Sequence, residues 1–350
     1  MKGNKQMKIH TYLAATAVTR TLAACAALNL TCTAVLGQPA AGAGGGTTGG
    51  GTIFYTHTCC RQMWTMNSDG TSQTQLGLGA FGSVSTQKYN GHYWFMDVRA
   101  IDPPQYYPNG DLRLEVSVYR DDYDQNTNSN PATRVLLTND ITLQPSSGSG
   151  DPAYTVQWLP GGQKISVKAR RWSGNLVSEG GIYTASLQFG TDGNITGLIA
   201  QPGAVAISFP FDSNQWPNLR SYSWDPTGAK IAYEDTFVLG IADLLGSPHT
   251  VIYNGWSNTP QWSPDGRKIV FTNVNLGIST IGPDGKGLKE IIRRTSTWGF
   301  ARPFYSPTGS NIVCYGTGAN LDVLRSDSNG NFLTNLTNTP SDSEMPQGWR

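Results

Sequence analysis

One short motif, written four times, constrains this chain more than any other feature. Trp262-Ser-Pro264-Asp-Gly266-Arg-Lys-Ile269-Val-Phe271 is its clearest copy. Trp224-Asp-Pro226-Thr-Gly228-Ala-Lys-Ile231-Ala-Tyr233, Trp158-Leu-Pro160-Gly-Gly162-Gln-Lys-Ile165-Ser-Val167 and Tyr305-Ser-Pro307-Thr-Gly309-Ser-Asn-Ile312-Val-Cys314 follow the same rule, and Tyr106-Tyr-Pro108-Asn-Gly110 is a looser fifth. The spelling has a physical reason. The aromatic ends a strand and fills space between sheets, Pro presets φ for the first corner of a turn, and Gly takes a conformation that side chains resist. The apolar residues that follow enter the next strand. A second turn signal comes later in most units, at Ser68-Asp69-Gly70, Thr191-Asp192-Gly193, Pro283-Asp284-Gly285 and Ser328-Asn329-Gly330. Asp-Gly and Asn-Gly are strong hairpin turns. Each unit therefore reads as four short antiparallel strands, and the 38 residues from Trp224 to Trp262 and 43 from Trp262 to Tyr305 match a propeller blade of about 40–45 residues.

The two ends complete the count. Trp349 stands where a further unit opens, and the strand that should follow it is Gly51-Thr-Ile53-Phe-Tyr55-Thr56, with Met66 to Gly70 as its next hairpin. The C-terminal strand is expected to complete the N-terminal blade, which removes an exposed edge and closes a ring of six. Composition agrees. Charged residues are 14% of the chain, against about 25% in an average soluble domain, while Gly 41, Pro 20 and abundant aromatics suit strands and turns rather than helical bundles. A net charge of +1 gives no field for nucleic acid. The expected fold is an all-β six-bladed β-propeller of four-stranded antiparallel blades, closed by its terminal strands.

The Trp-Ser-Pro-Asp-Gly-x-Lys-Ile-Val-Phe stretch from Trp262, and Trp64-Thr-Met-Asn-Ser-Asp-Gly70, resemble the repeats of the TolB-like six-bladed propellers, WD-repeat-like modules of bacterial exported proteins. The resemblance runs over residues 51–350, strong from Trp158 onward and weaker between Gly77 and Asp151. It implies an envelope-associated protein whose partner is an envelope protein, a peptide or a glycan.

The segment before the repeats reads as an address. Lys2, Lys5, Lys8 and Arg20 precede an apolar run from Leu22 to Leu36, and Ala41-Gly42-Ala43 is a small-x-small cleavage site. Residues 1–43 are expected to be a signal peptide, 44–51 a Gly-rich linker and 52–350 the propeller, periplasmic or secreted. Leu22-Ala23-Ala24-Cys25 also fits a lipobox, which makes a lipoprotein anchored at Cys25 the alternative. No later stretch is long and apolar enough to span a bilayer. Cys59, Cys60 and Cys314 remain after cleavage, an odd number that leaves a vicinal bridge and a pairing with Cys314 both open.

In a propeller of this kind the Pro-Gly and Asp-Gly turns share one face, and the connections between blades share the other, around the channel mouth. Trp216, Trp256 and Trp298 stand six to eight residues before the next signature aromatic, and Trp172 lies in the Arg170-Arg171-Trp172 segment. Arg220 and Arg302 also precede signature aromatics. These eight residues are the expected ligand-binding face, since aromatic platforms flanked by Arg suit sugar rings, peptide side chains and acidic groups. The competing expectation is that each Trp packs under its own loop. His57, His92 and His249 show no paired spacing, and no nucleophile elbow is present. A carbohydrate-active lyase or hydrolase working in the channel is the alternative function. No cofactor is expected, apart from a possible calcium loop at Asp122, Asp124, Asn126 and Asn128, whose sixth position is Thr127 rather than Gly.

Overall fold

The signature motif folds as its residue types require. Gly228, Gly266 and Gly309 each donate their N–H to the carbonyl three residues back, on Asp225, Ser263 and Ser306, at 2.9 Å. With Gly162 these glycines have φ from 68° to 73°, the left-handed region that a Cβ disfavours. In this computed structural model the described residues are 50–57, 62–79, 83–123, 134–138, 142–145, 155–209, 219–235, 237–244, 249–296, 298–317, 320–339 and 342–350. The leader, Trp216, Cys59, Cys60, Asp124, Asn126 and Asn128 lie outside them.

The described strands form six antiparallel sheets, numbered here as blades along the chain. Blade 1 runs outward as Glu344–Trp349, Thr52–His57, Gln62–Asn67 and Thr74–Gly79; blade 2 as Ser83–Val84, Trp94–Ala100, Leu114–Arg120 and Arg134–Thr138. Blade 4 comprises Leu219–Trp224, Lys230–Asp235, Val238–Asp243 and Thr250–Asn254; blade 5, Ser257–Trp262, Ile269–Asn273, Gly277–Ile281 and Lys289–Arg293; blade 6, Gly299–Tyr305, Asn311–Thr317, Leu321–Asp327 and Thr334–Asn335. Blade 3 has the same four positions with two of them split. Leu143–Pro145 and Val156–Trp158 share the inner place against Lys164–Ser173, while Ile195–Leu198 and Val205–Ser208 share the outer place against Leu176–Phe189. First strands of neighbouring blades adjoin one another, so they line the axis. The ring is closed by Glu344–Trp349, which pairs antiparallel with Thr52–His57, Trp349 facing Ile53 and Glu344 facing His57.

The apolar core is not central. It is divided into six clusters, one in each gap between blades. Signature aromatics sit in five of those gaps: Trp158 between blades 2 and 3, Trp224 between 3 and 4, Trp262 at the edge of the next, Tyr305 between 5 and 6, and Trp349 between 6 and 1. In the sixth gap the matching place is Val84, opposite Phe95, and the Arg350 side chain adds to the filling, bonding the carbonyls of Ser85 and Val84 at 3.1 and 3.3 Å. The Pro-Gly turns also pack on one another. A Cβ on Gly228, Gly266 or Gly309 would lie 3.3–3.6 Å from the signature proline of the preceding blade, and one on Gly51 would lie 3.1 Å from Pro307.

One unit of the sequence reading needs correcting. Tyr106-Tyr-Pro108-Asn-Gly110 does form a tight turn, with Gly110 N–H on the Tyr107 carbonyl at 2.9 Å, but it joins the second and third strands of blade 2 rather than the first and second. Turn chemistry alone does not specify blade position. The true first turn of that blade, Tyr89 to His92, has neither the aromatic nor the proline. Among the described residues no helix is long and apolar enough to cross a membrane.

Trp349 is 1% exposed, so its strand is an interior element of the ring. Trp349→Ala should cost about 3–5 kcal/mol, and deletion of Met345 to Arg350 should lower the melting temperature far more than trimming an exposed loop. A truncated protein that melts within a degree or two of the parent contradicts the closure.

Candidate binding face

Antiparallel alternation puts the Pro-Gly and Asp-Gly turns on one face, and the second-to-third-strand loops with the blade-to-blade connections on the other. On this connection face the inner strands begin, and they are irregular there. In blades 1, 4, 5 and 6 the inner strand carries one extra residue against its partner, a bulge that bends the strand. At two of these bulges Thr259 and Arg302 take φ of 53° and 60°. Their N–H groups turn toward the preceding blade, where Ser221 Oγ and Thr272 Oγ1 accept them, each at 3.1 Å.

The second strands supply matching hooks three places after their leading Ile. Lys168 in blade 3 donates Nζ to the Leu219 and Arg220 carbonyls of blade 4 at 3.2 and 2.9 Å. Glu234 in blade 4 accepts from Ser221 Oγ at 2.7 Å, and Asn258 of blade 5 donates to it at 3.0 Å with its amide nitrogen turned toward the acid. Burial pushes the Glu234 carboxyl up to about 7 against the pull of Ser221, Arg220 and Lys168. Burial likewise pushes Lys168 down to about 8, with Glu234 opposing, and Asp97 of blade 2 up to about 6. Glu234 and Lys168 join blades and are not open to the channel, being 3% and 7% exposed.

The eight expected face residues fall into different settings. Arg170, Arg171 and Trp172 converge at one corner of blade 3. Arg170 Nη2 reaches Asp111 Oδ2 and Gln144 Oε1, both at 3.2 Å, and Trp172 Nε1 reaches the same Gln144 oxygen at 2.6 Å. Arg171 holds Thr142 Oγ1 at 2.8 Å and the Pro202 and Gly203 carbonyls at 2.7 and 2.9 Å. The Trp172 ring stacks on Tyr107 of blade 2, centroids 6.1 Å apart. Arg302 is buried and donates to Gln347 at 3.0 Å, tying blade 6 to blade 1. Trp298 is half-buried, stacked on Phe300 and lying over Gly316, where a Cβ would come within 2.9 Å of its ring. Arg220 is exposed. Trp256 is 49% exposed and stacks on Phe237, 57% exposed, with centroids 5.8 Å apart and planes 26° from parallel. Trp216 lies outside the described residues.

Asp122 sits on the opposite, turn face. Arg120 grips it with two bonds of 2.7 Å and holds its carboxyl below the usual range. The other three residues of the calcium reading lie outside the described residues. Phe237 was missed by sequence reasoning, although an apolar residue alone in the short polar loop between Asp235 and Val238 is a detectable signal. Cys314 is a buried free thiol whose pKa burial raises to about 12.

The blade build, with inner strands ending in an aromatic-x-Pro-x-Gly turn and a closing strand from the C-terminus, makes this a six-bladed β-propeller. Among solved structures it is similar to one assigned as TolB from Agrobacterium tumefaciens, at 16% identity and TM-score 0.42, over 85% of this chain and 92% of that one. TolB from Acinetobacter baumannii is similar at 12% identity and TM-score 0.49, over 87% of this chain and 67% of that one. A protein assigned as a 6-phosphogluconolactonase from Bacteroides fragilis aligns at 10% identity and TM-score 0.45, over 87% and 99%. Likenesses at these levels speak to the fold alone. No family model and no curated protein sequence matches.

The buried hooks set a pH dependence. Burial holds the Glu234 pKa at about 7 against an ordinary 4.5, so between those limits the native state keeps a proton the unfolded chain has lost. Stability therefore falls as pH rises from 4.5 to 7. Lys168, at about 8 against 10.5, works in the other direction, and its contribution rises from pH 8 upward. Glu234→Gln, which cannot ionise, should flatten the acid limb, leaving it more stable relative to the parent at pH 7 than at pH 4.5 by about 1–3 kcal/mol. Urea titrations at several pH values measure this, and parallel curves for both proteins contradict it.

Proposed function

We propose that this is an exported, envelope-associated propeller whose work is binding, and that it takes a protein, peptide or glycan on its connection face. The observation that carries the reading is the stacked pair Phe237 and Trp256, two large rings left about half in water on neighbouring loops. Exposed aromatics cost solubility and are enriched where surfaces bind. Arg220, the second residue of the inner strand of blade 4, is exposed on this face, where it adds a planar donor for carboxylate or hydroxyl groups. The leader sequence supports export. Glu234 and Lys168 are engaged in joining blades, which supports binding over channel chemistry as the main use of this face.

Capture from envelope extract on immobilised mature protein tests the reading. A component retained by the parent and released by the Phe237→Ala, Trp256→Ala pair supports it; the same retention by both proteins contradicts it. Each ring should contribute about 1–3 kcal/mol to binding, the scale of an aromatic hot spot.

The same tryptophans separate binding from packing in thermal melts. Trp256→Ala should change stability by less than about 1 kcal/mol, because it removes a half-exposed ring. Trp298→Ala should cost about 2–4 kcal/mol, because the ring covers Phe300 and Gly316. Equal losses in both place Trp256 among the loop anchors.

A further inference from the structure

We propose that His57, Asp342 and Glu344 form a site for a borderline divalent cation, Zn²⁺ in the first instance, built across the seam where the ring closes. His57 ends the second strand of blade 1, and Glu344, directly opposite it in the ladder, begins the closing strand. Asp342 comes in on the connection two residues earlier. His57 Nδ1 lies 3.3 Å from Asp342 Oδ2 and 3.7 Å from Glu344 Oε1, and one donor atom from each residue falls within 4.8 Å of the others. Donors around a four-coordinate zinc at 2.0–2.2 Å stand about 3.3–3.6 Å apart. The separations therefore need only small side-chain adjustments. One imidazole and two carboxylates match the donor set of a three-ligand zinc site.

A second observation concerns charge. Glu344 is fully buried, and its only ion-pair partner among the described residues is His57. Asp322, itself 8% exposed, stands behind it, held by Asn335 Nδ2 at 3.0 Å and Thr337 Oγ1 at 3.4 Å. Asp342 and Glu344 thus face one imidazole with Asp322 behind Glu344, an arrangement that is expensive unless a cation or a proton relieves it. The outer groups orient the inner ones as second partners do in metal sites. Thr337 Oγ1 donates to Glu344 Oε2 at 3.3 Å, Thr339 donates to Oε1, and the His57 ring is wedged against Trp64 at 4.8 Å. The similar trio His92, Asp121 and Asp122 lacks this character, because Arg120 already neutralises Asp122.

A cation here would clamp the first and last strands together, so the test reads both binding and stability. Untagged mature protein, stripped with chelator, is titrated with Zn²⁺ calorimetrically and melted with and without the metal; Co²⁺ then serves as a spectroscopic probe. The expected result is one Zn²⁺ per chain, a melting temperature raised by several degrees, and a visible Co²⁺ band without thiolate charge transfer. His57→Ala and Asp342→Asn should each weaken binding at least tenfold, while His92→Ala leaves it unchanged. Asp342 is partly exposed, so its variant keeps the test valid if the His57 variant folds poorly. Absence of saturable binding, equal affinity in Asp342→Asn, or a Co²⁺–thiolate band that assigns the metal to cysteine overturns the proposal.

Discussion

The pairing of Glu344–Trp349 with Thr52–His57 is the contact on which the rest of this structure depends. A sheet ring with one open seam has two unpaired edges and one unfilled gap, and each blade is too small to bury its own apolar faces. Here the seam is closed by backbone, by a ring and by turn packing together. Arg350 N–H bonds the Thr52 carbonyl at 2.9 Å, Trp349 fills the gap against blade 6, and Pro307 abuts Gly51 as the other signature prolines abut their glycines. Because the core is spread over six gaps, stability is shared around the ring, and a break at one gap exposes apolar surface on two blades.

The inner wall solves a second problem with polar groups. Bulged strands turn some N–H groups away from their own ladders, and a buried donor left unbonded is costly. Ser221, Thr272 and Lys168 answer those groups or the neighbouring carbonyls across the gaps, and Glu234 fixes the Ser221 hydroxyl within its own blade. Ionisable side chains placed this way are consumed by architecture. On the proposed reading, binding falls to the loops of the connection face, where a substitution need not disturb either the wedges or the hooks.

Much of the fold was legible because Pro, Gly and the aromatic each do something that few residues can. What was hidden had physical reasons. Blade 2 has Val84 in the aromatic's place and no proline in its first turn, so its register was unreadable, while a turn of the right chemistry elsewhere drew attention. The signature glycines were read as turn formers only; that they also leave room for the next blade's neighbour is a property of packing, which sequence does not display. The candidate site was legible in location more than in detail. Trp256 stands six residues before Trp262 and Trp298 seven before Tyr305. In an extended segment one residue turns a side chain to the other side. Trp298 falls on Gly316, whereas the matching place in blade 5 is taken by Asn273, buried and bonded to Tyr253 at 2.9 Å. Phe237, which turns Trp256 into a pair, is close to it only in the fold.

Native-state hydrogen exchange tests the closure most directly. If the terminal strands form one sheet, the amides of Glu344–Trp349 and Thr52–His57 should exchange together, with the protection of the innermost strands of the other blades. They should follow global unfolding rather than local fraying. Exchange of the Glu344–Trp349 amides at the rate of an exposed terminus, while the other inner strands stay protected, would show an open ring and contradict the account.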